Sequence, residues 1–232
     1  MNPLHKRGLT LDMRNAVRIE RQDIRGLEEL LLSPSKQLIS VPARELKPFK
    51  KEQLMQFCHE YGFYQLITDE LIAFLREELG DSRTVEIGAG NGAIAQHLPG
   101  ITATDSYVQD TLEMRQIYGS KGVVPVHYGT NVLKYEAVAA VKEFQPQAVL
   151  GCWVTHLFDG VQGFADGVDE ERMMAPELGV EKYLIVGNKK THDAKPILKN
   201  RAFKPKQFTN LPWLYSRSMH PELNTIYRIV RR

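Results

Sequence analysis

The stretch TVEIGAGNGAIAQHLPGITATD, residues 84 to 105, decides how the chain is read. Thr84 to Ile87 is short, β-prone and apolar, Gly88, Gly90 and Gly92 follow on alternate positions, and Ala93 to Leu98 reads as an amphipathic helix start. This is strand, glycine turn, helix. A chain leaving a parallel strand for a helix turns sharply, and a missing Cβ lets a ribose or phosphate approach the backbone. A ligand pocket is therefore expected at the strand's carboxyl end. Gly88-Ala89-Gly90-Asn91-Gly92-Ala93 satisfies a dinucleotide fingerprint if Ala93 stands as the third small residue, which keeps a nicotinamide-type reading open. Glu86 argues for a different ligand, because a pyrophosphate rests on the helix N-terminus and needs no acid at the strand's end, whereas a cation does. Ile101 to Thr104 forms a second short strand that ends at Asp105, about the spacing at which a carboxylate takes ribose hydroxyls in a β-α-β unit.

With Glu86, Gly88, Gly90, Gly92 and Asp105 in these positions, the chain resembles the class I S-adenosylmethionine (SAM)-dependent methyltransferases. Their first motif is an acidic residue followed by G-x-G-x-G, and an acidic residue closes the next strand. The resemblance covers about residues 61 to 190. It implies an α/β fold, a doubly wound, mostly parallel seven-stranded sheet, here behind an N-terminal helical extension. It also implies SAM as cofactor, held by Glu86, Gly88, Ala89, Gly90, Gly92 and Asp105.

The length of 232 residues suits one filled α/β domain with an appendage. Residues 1–60 are expected to be a helical extension capping the substrate, and residues 61–232 the SAM-binding domain. No run of about 18 apolar residues could cross a bilayer, and the N-terminus lacks the apolar core of a secretory signal. A cytoplasmic protein with no membrane partner is the expectation. Cys58 and Cys152 form neither a disulfide framework nor a zinc spacing, and no metal site is expected. The net charge of +2 hides an asymmetry: from Lys182 onward twelve Lys/Arg face two acids, a balance of +10 that leaves −8 for the rest. Such a tail steers anions, nucleic acid included, or is simply a solvated face.

Ahead of the glycine strand, helical spacings run through Leu9, Met13, Val17, Ile24, Leu27, Leu30 and Leu31, and a further helix covers Lys50 to Tyr61 before Gly62. In the family resembled, such leading segments commonly fold over the cofactor. Thr68 is a fitting N-cap for a helix to Leu79, with Leu71, Ile72 and Leu75 facing the sheet. Tyr61, Phe63 and Tyr64 are either core residues or, Tyr64 above all, an aromatic face for the sulfonium end of SAM. After Asp105 the pattern gives a helix from about Val108 to Tyr118 and a third strand from Val123 to His127. The family often carries an acid behind that strand to take the adenine amino group. Here Tyr128-Gly129-Thr130-Asn131 offers the Asn131 side-chain oxygen instead, or Asn131 caps a helix from Leu133 to Phe144.

Gln147 to Trp153 reads as the fourth strand, whose loop touches the acceptor in this family. Cys152-Trp153-Val154-Thr155 lacks the Asn or Asp, two prolines and aromatic of the N6-adenine and N4-cytosine enzymes, and no Pro-Cys pair supplies the thiolate of the C5-cytosine enzymes. Methyl transfer is an in-line displacement that needs alignment and, for a protonated nucleophile, a base. His156 is the candidate base, with Asp159 as partner, although a loop histidine has an equally good structural use. Trp153 is expected to wall the cofactor or acceptor pocket. Gly160 to Gly179 reads as a loop and short helix able to lie over the site. Tyr183 to Gly187 is a fifth strand with Lys189 and Lys190 behind it, ready to neutralise an acidic acceptor. Gln207 to Thr209 and Thr225 to Val230 make an antiparallel edge hairpin. The reading is a SAM-dependent methyltransferase acting on a small-molecule acceptor. Its alternatives are an RNA methyltransferase using the basic C-terminal stretch, and a SAM-binding protein without turnover.

Overall fold

The computed structural model describes residues 21–120, 124–156 and 167–232. Its centre is a seven-stranded sheet built from β1 (Thr84–Ile87), β2 (Thr102–Asp105), β3 (Val132–Lys134), β4 (Ala148–Cys152), β5 (Lys182–Asn188), β6 (Phe203–Phe208) and β7 (Asn224–Arg231). The order across the sheet is β3-β2-β1-β4-β5-β7-β6. β1 to β5 pair in parallel, and β7 runs antiparallel between β5 and β6. The doubly wound, mostly parallel sheet with an antiparallel edge hairpin is the Rossmann-like arrangement that the resemblance implied. The chain reverses its winding between β1 and β4, and in such sheets the crevice outside the strands' carboxyl ends at that point is where ligands bind.

The helices are α1 (Arg25–Leu31), α2 (Lys51–Glu60), α3 (Asp69–Leu79), α4 (Ala93–His97), α5 (Leu112–Ser120), α6 (Ala137–Phe144), α7 (Glu170–Met173), α8 (Lys189–His192) and α9 (Pro196–Lys199). Period-two alternation divides the strand residues between two cores. Leu150, Leu184, Val186 and Ile226 face one side with Leu27, Phe57, Leu71 and Ile94 from α1 to α4. Val85, Ile87, Val149, Ile185 and Ile229 face the other with Val141, Met173 and Ile197 from α6, α7 and α9. Residues 24 to 58 thus share a continuous apolar cluster with the sheet. Thr68 caps α3 by accepting from the Leu71 N–H at 3.1 Å, as its sequence position suggests.

Two expectations need correction. The third strand is Val132–Lys134, so the β-prone run at Val123 to His127 is not it: residues 124 to 127 carry no regular structure. Pro125 lacks an N–H, and the Val126 N–H is taken by the Gln109 side chain at 3.0 Å instead of a ladder partner. The helix expected from Leu133 begins only at Ala137, because Ala103 to Asp105 of β2 pair with Val132 to Lys134. Asn131 therefore precedes β3 and caps no helix. Among the described residues, no helix is long and apolar enough to cross a membrane.

Candidate functional site

β1 ends inside the protein at an acid. Alternation turns Val85 and Ile87 to one face and Glu86 to the other, toward α4, where it is 1% exposed. Burial pushes its carboxyl up to about 8; an N–H from Ala95 opposes this and the nearby Asp105 adds to it. Glu86 Oε2 has no hydrogen-bond partner among the described residues. The turn behind it holds Gly88, Gly90 and Gly92 at φ +58°, +55° and +69°, the left-handed region that a side chain resists. At Gly92 a Cβ would stand 2.5 Å from Asn131 Oδ1.

Asp105 closes β2 and faces the same turn. Its Oδ2 accepts the Gly90 N–H at 3.0 Å and its Oδ1 the Tyr107 N–H at 2.9 Å. Burial raises its carboxyl above the ordinary range, against these two amides and the Tyr128 hydroxyl. Tyr128 lies flat on Tyr107, with centroids 4.0 Å apart, and the Tyr107 hydroxyl donates to the Val132 carbonyl at 2.7 Å. The Tyr135 N–H reaches the Asp105 carbonyl at 2.9 Å, which brings the end of β3 beside the same acid.

Glu86, Asp105, Tyr128 and Tyr135 line one cavity of about 800 Å³ at the carboxyl ends of the strands. That lies toward the upper end of the usual range for ligand pockets, about 300–1,000 Å³. Tyr64, Glu86, Gly88, Ala89, Gly90, Asp105 and Trp153 all contribute to its wall. Gly92 and Asn131 stand just behind it, where Asn131 Nδ2 donates to the Gly92 carbonyl at 3.1 Å and braces the turn. Trp153 adopts φ +61° after β4. It is held by its N–H on the Val186 carbonyl at 2.8 Å and by its indole N–H on Gln65 Oε1 at 3.2 Å. Beneath it lies His192, edge to face at 5.6 Å, whose ring burial lowers to about 4 and so keeps neutral.

His156 is not on the cavity wall. It bridges to Val168 through the backbone, and burial, with the charges of Lys195 and Lys199, lowers its ring below the ordinary value. Asp159 and residues 160–166 of the glycine-rich stretch after it lie outside the described residues. Among the described residues, the cavity lining includes no histidine and begins at Gly62, so residues 21 to 61 contribute none of it.

Sequence reasoning missed several wall residues. Tyr135 and Glu136 at the end of β3 were hidden by the wrong strand register. A three-residue strand carries too little pattern to compete with Val123 to His127. Gln109, Tyr118 and Arg217 come from α5, its approach and the β6–β7 connection, and only tertiary folding brings them together. The basic C-terminal stretch from Lys182 onward does not gather at the cavity. Lys182, Lys204 and Arg231 lie at the opposite end of the sheet, where Lys182 pairs with Val230 and Phe203 with Arg231, while Lys189, Lys190 and Arg217 lie toward the cavity end.

The sheet order and the glycine turn after β1 are Rossmann-like, as the resemblance to class I SAM-dependent methyltransferases implied. No protein-family model matches the sequence, and no curated protein matches it. Among solved structures, the chain is similar to an rRNA methylase from Streptococcus thermophilus, at 13% identity over 69% of this chain and 93% of that one, with a TM-score of 0.36. It is similar also to the 16S rRNA methyltransferase RmtF in complex with S-adenosyl-L-homocysteine, at 12% identity over 82% and 68% of the two chains and a TM-score of 0.38. A SAM-dependent methyltransferase from Thermotoga maritima, a candidate histamine N-methyltransferase, gives 14% identity over 82% and 98%, with a TM-score of 0.37. At these values the likeness carries nothing about the acceptor.

Proposed function

We propose that this protein is a methyltransferase that binds SAM in the cavity between β1, β2 and β4 and passes its methyl group to a small molecule. The carrying observation is Glu86 Oε2, a buried carboxylate oxygen without a partner in the cavity that Asp105 and the glycine turn also line. A buried acid raised to about 8 is poised to ionise against a cation, and SAM carries an α-ammonium beside its sulfonium. Asp105 would take the ribose hydroxyls, with one oxygen held by Gly90 and the other by Tyr107, the ribose displacing the Tyr128 hydroxyl. Tyr135 and Glu136 would meet the adenine, Glu136 as acceptor for its amino group, which is the acid missing behind Val123 to His127. Glu86, Gly88, Ala89 and Gly90 would cradle the rest of the donor, and Trp153 and Tyr64 would exclude water from the sulfonium end.

SAM supplies an activated methyl group on a sulfonium, which leaves as a neutral thioether. The chain's part is alignment. With no histidine in the described lining, an acceptor whose nucleophile already has a free lone pair at neutral pH suits this cavity best. An RNA acceptor is less well supported, because much of the basic excess lies at the far end of the sheet from the cavity.

Calorimetry with S-adenosylhomocysteine tests the reading first, with one equivalent bound expected and no binding overturning it. Incubation of the protein and methyl-labelled SAM with separated small-molecule and RNA fractions of a cell extract tests the second part. Label is expected in the small molecules, and label confined to RNA would reverse the choice of acceptor.

A further inference from the structure

Arg217 lies in the connection between β6 and β7 and lines the cavity with Tyr64 and Tyr118. Its guanidinium carbon sits 3.3 Å from the centroid of the Tyr64 ring, and its backbone N–H donates to the Tyr64 carbonyl at 3.1 Å. The Tyr64 hydroxyl in turn lies 3.3 Å from that of Tyr118, so ring, guanidinium and second phenol form one wall. Trp153 continues this wall, its ring centroid 6.4 Å from that of Tyr64.

Two other cations withdrawn from solvent meet carboxylates, while Arg231, over the Phe203 ring at the far end of the sheet, shares with Arg217 a buried guanidinium nitrogen without a partner among the described residues. Lys195 meets Glu170 at 2.6 Å and Arg228 meets Glu78 at 3.0 Å. Arg217 pairs with no carboxylate among the described residues, and its Nη1 is buried without a hydrogen-bond partner. A guanidinium stays charged at any physiological pH and offers a planar fork of donors matched to a carboxylate. Stacking on a phenol fixes that fork in place and leaves its edge for a ligand.

The position separates this group from the donor's own charges. Arg217 stacks on Tyr64, whose hydroxyl meets that of Tyr118 in α5, whereas Glu86 lies within β1, just before the glycine turn. The α-ammonium and α-carboxylate of an amino acid hang from a single carbon, so a donor tail anchored at Glu86 stays at the Glu86 end of the cavity. The anion that Arg217 receives then belongs to the second substrate.

We propose that Arg217 is the residue that selects the acceptor, and that the acceptor is a small organic carboxylate whose charge docks on this guanidinium while its apolar body lies against Tyr64, Tyr118 and Trp153. This rests on the methyltransferase reading and goes beyond it by naming the chemistry of the second substrate. Lys189 and Lys190 follow β5, outside the described lining, and are not needed for this recognition.

The test uses the full chain saturated with S-adenosylhomocysteine and two probe acids, benzoate and indole-3-acetate, each set against its uncharged amide. Calorimetry is expected to find each acid bound at least tenfold more tightly than its amide by the wild type. Arg217→Met is expected to reduce the acids to the level of the amides, with Arg217→Lys intermediate because it keeps charge but loses the fork. Equal binding of acids and amides by the wild type, or an undiminished preference in Arg217→Met, would overturn the assignment. S-adenosylhomocysteine titrated alone into Arg217→Met is expected to bind as in the wild type, which also shows that the variant is folded. Selective loss of that binding in a variant with native circular dichroism would give the guanidinium to the donor's carboxylate and overturn the proposal. Failure of the wild type to bind S-adenosylhomocysteine is a separate result that removes the methyltransferase reading, and with it this one.

Discussion

Gly90 donates its backbone N–H to Asp105 Oδ2 at 3.0 Å, a bond across fifteen residues that makes the glycine turn and the end of β2 a single unit. The acid holds the turn's shape with one oxygen and the Tyr107 amide with the other. On the proposed function, ligand recognition and local stability are tied together at this residue.

Asp105→Ala is expected to weaken S-adenosylhomocysteine binding by at least tenfold, since hydrogen bonds to a charged group contribute about 1.5–3 kcal/mol each. Calorimetry would read this, with chemical denaturation run in parallel because the Gly90 and Tyr107 amides lose their acceptor. Wild-type affinity in Asp105→Ala would remove the ribose assignment.

Glu86 gives a pH dependence of definite sign. Its carboxyl titrates near 8 in the folded chain against an ordinary value of 4.5, so between these values the folded state holds a proton that the unfolded state has released. Stability from this group is full below 4.5 and declines as the pH rises through 8, by on the order of 4–5 kcal/mol at about 1.4 kcal/mol per pH unit. Glu86→Gln keeps the neutral shape and should lose that decline, so denaturation curves from pH 5 to 8.5 are expected to diverge, the variant becoming the more stable at the alkaline end. Parallel curves would show that Glu86 is ionised in the free protein. Ligand binding near pH 7 should release close to one proton, detectable as a dependence of the calorimetric heat on the buffer's ionisation enthalpy.

Gly92 is a position where turn and packing both require hydrogen in place of a side chain. Its φ of +69° and a Cβ position 2.5 Å from Asn131 Oδ1 and 2.8 Å from Val132 Cγ2 make Gly92→Ala destabilising. About 1–2 kcal/mol comes from the left-handed backbone alone, and a clash of this kind typically adds about 1–3 kcal/mol. In an Asn131→Ala background the same substitution should cost less, because one of the two clashes is gone. Equal costs in both backgrounds would show that Asn131 does not press on the turn.

Lys195 is 0% exposed and meets Glu170 at 2.6 Å, and Tyr183 donates to the same carboxylate oxygen at 3.0 Å. Removing one partner leaves the other buried and uncompensated, so Lys195→Met should destabilise the fold by about 3–5 kcal/mol. Adding Glu170→Gln should return most of that loss. Thermal melts of the two single variants and the double variant measure the coupling, and simple additivity would contradict a direct pair.

Much of this was legible locally. Thr84 to Asp105 carries strand, turn and strand end in one unbroken run, because a parallel βαβ unit places those parts close in sequence, and the two acids reach a common cavity with Gly88 and Gly90. The edge hairpin was visible in outline, although β6 begins at Phe203 rather than Gln207, since Lys204, Pro205 and Lys206 on an exposed edge do not alternate as a half-buried strand does. β3 was misread because a true strand of three residues is weaker as pattern than the β-prone run before it. His156 is a titratable loop residue three positions after Trp153, yet sequence distance says nothing about direction, and although its backbone bridges to the wall residue Val168 it is not itself among the lining residues.

The sequence by itself determined the acid–glycine–acid unit at the end of β1 and β2, because turn chemistry and βαβ spacing are short-range properties, while the winding of the sheet was implied by the resemblance that this unit carries. Only the tertiary structure decided which acid follows β3, that much of the basic excess lies away from the cavity, and that Arg217 stacks on Tyr64 across a separation of 153 residues. Those outcomes depend on strand pairing and on the packing of the β6–β7 connection against the segment before α3. Contacts between residues so far apart leave no local trace in composition or periodicity.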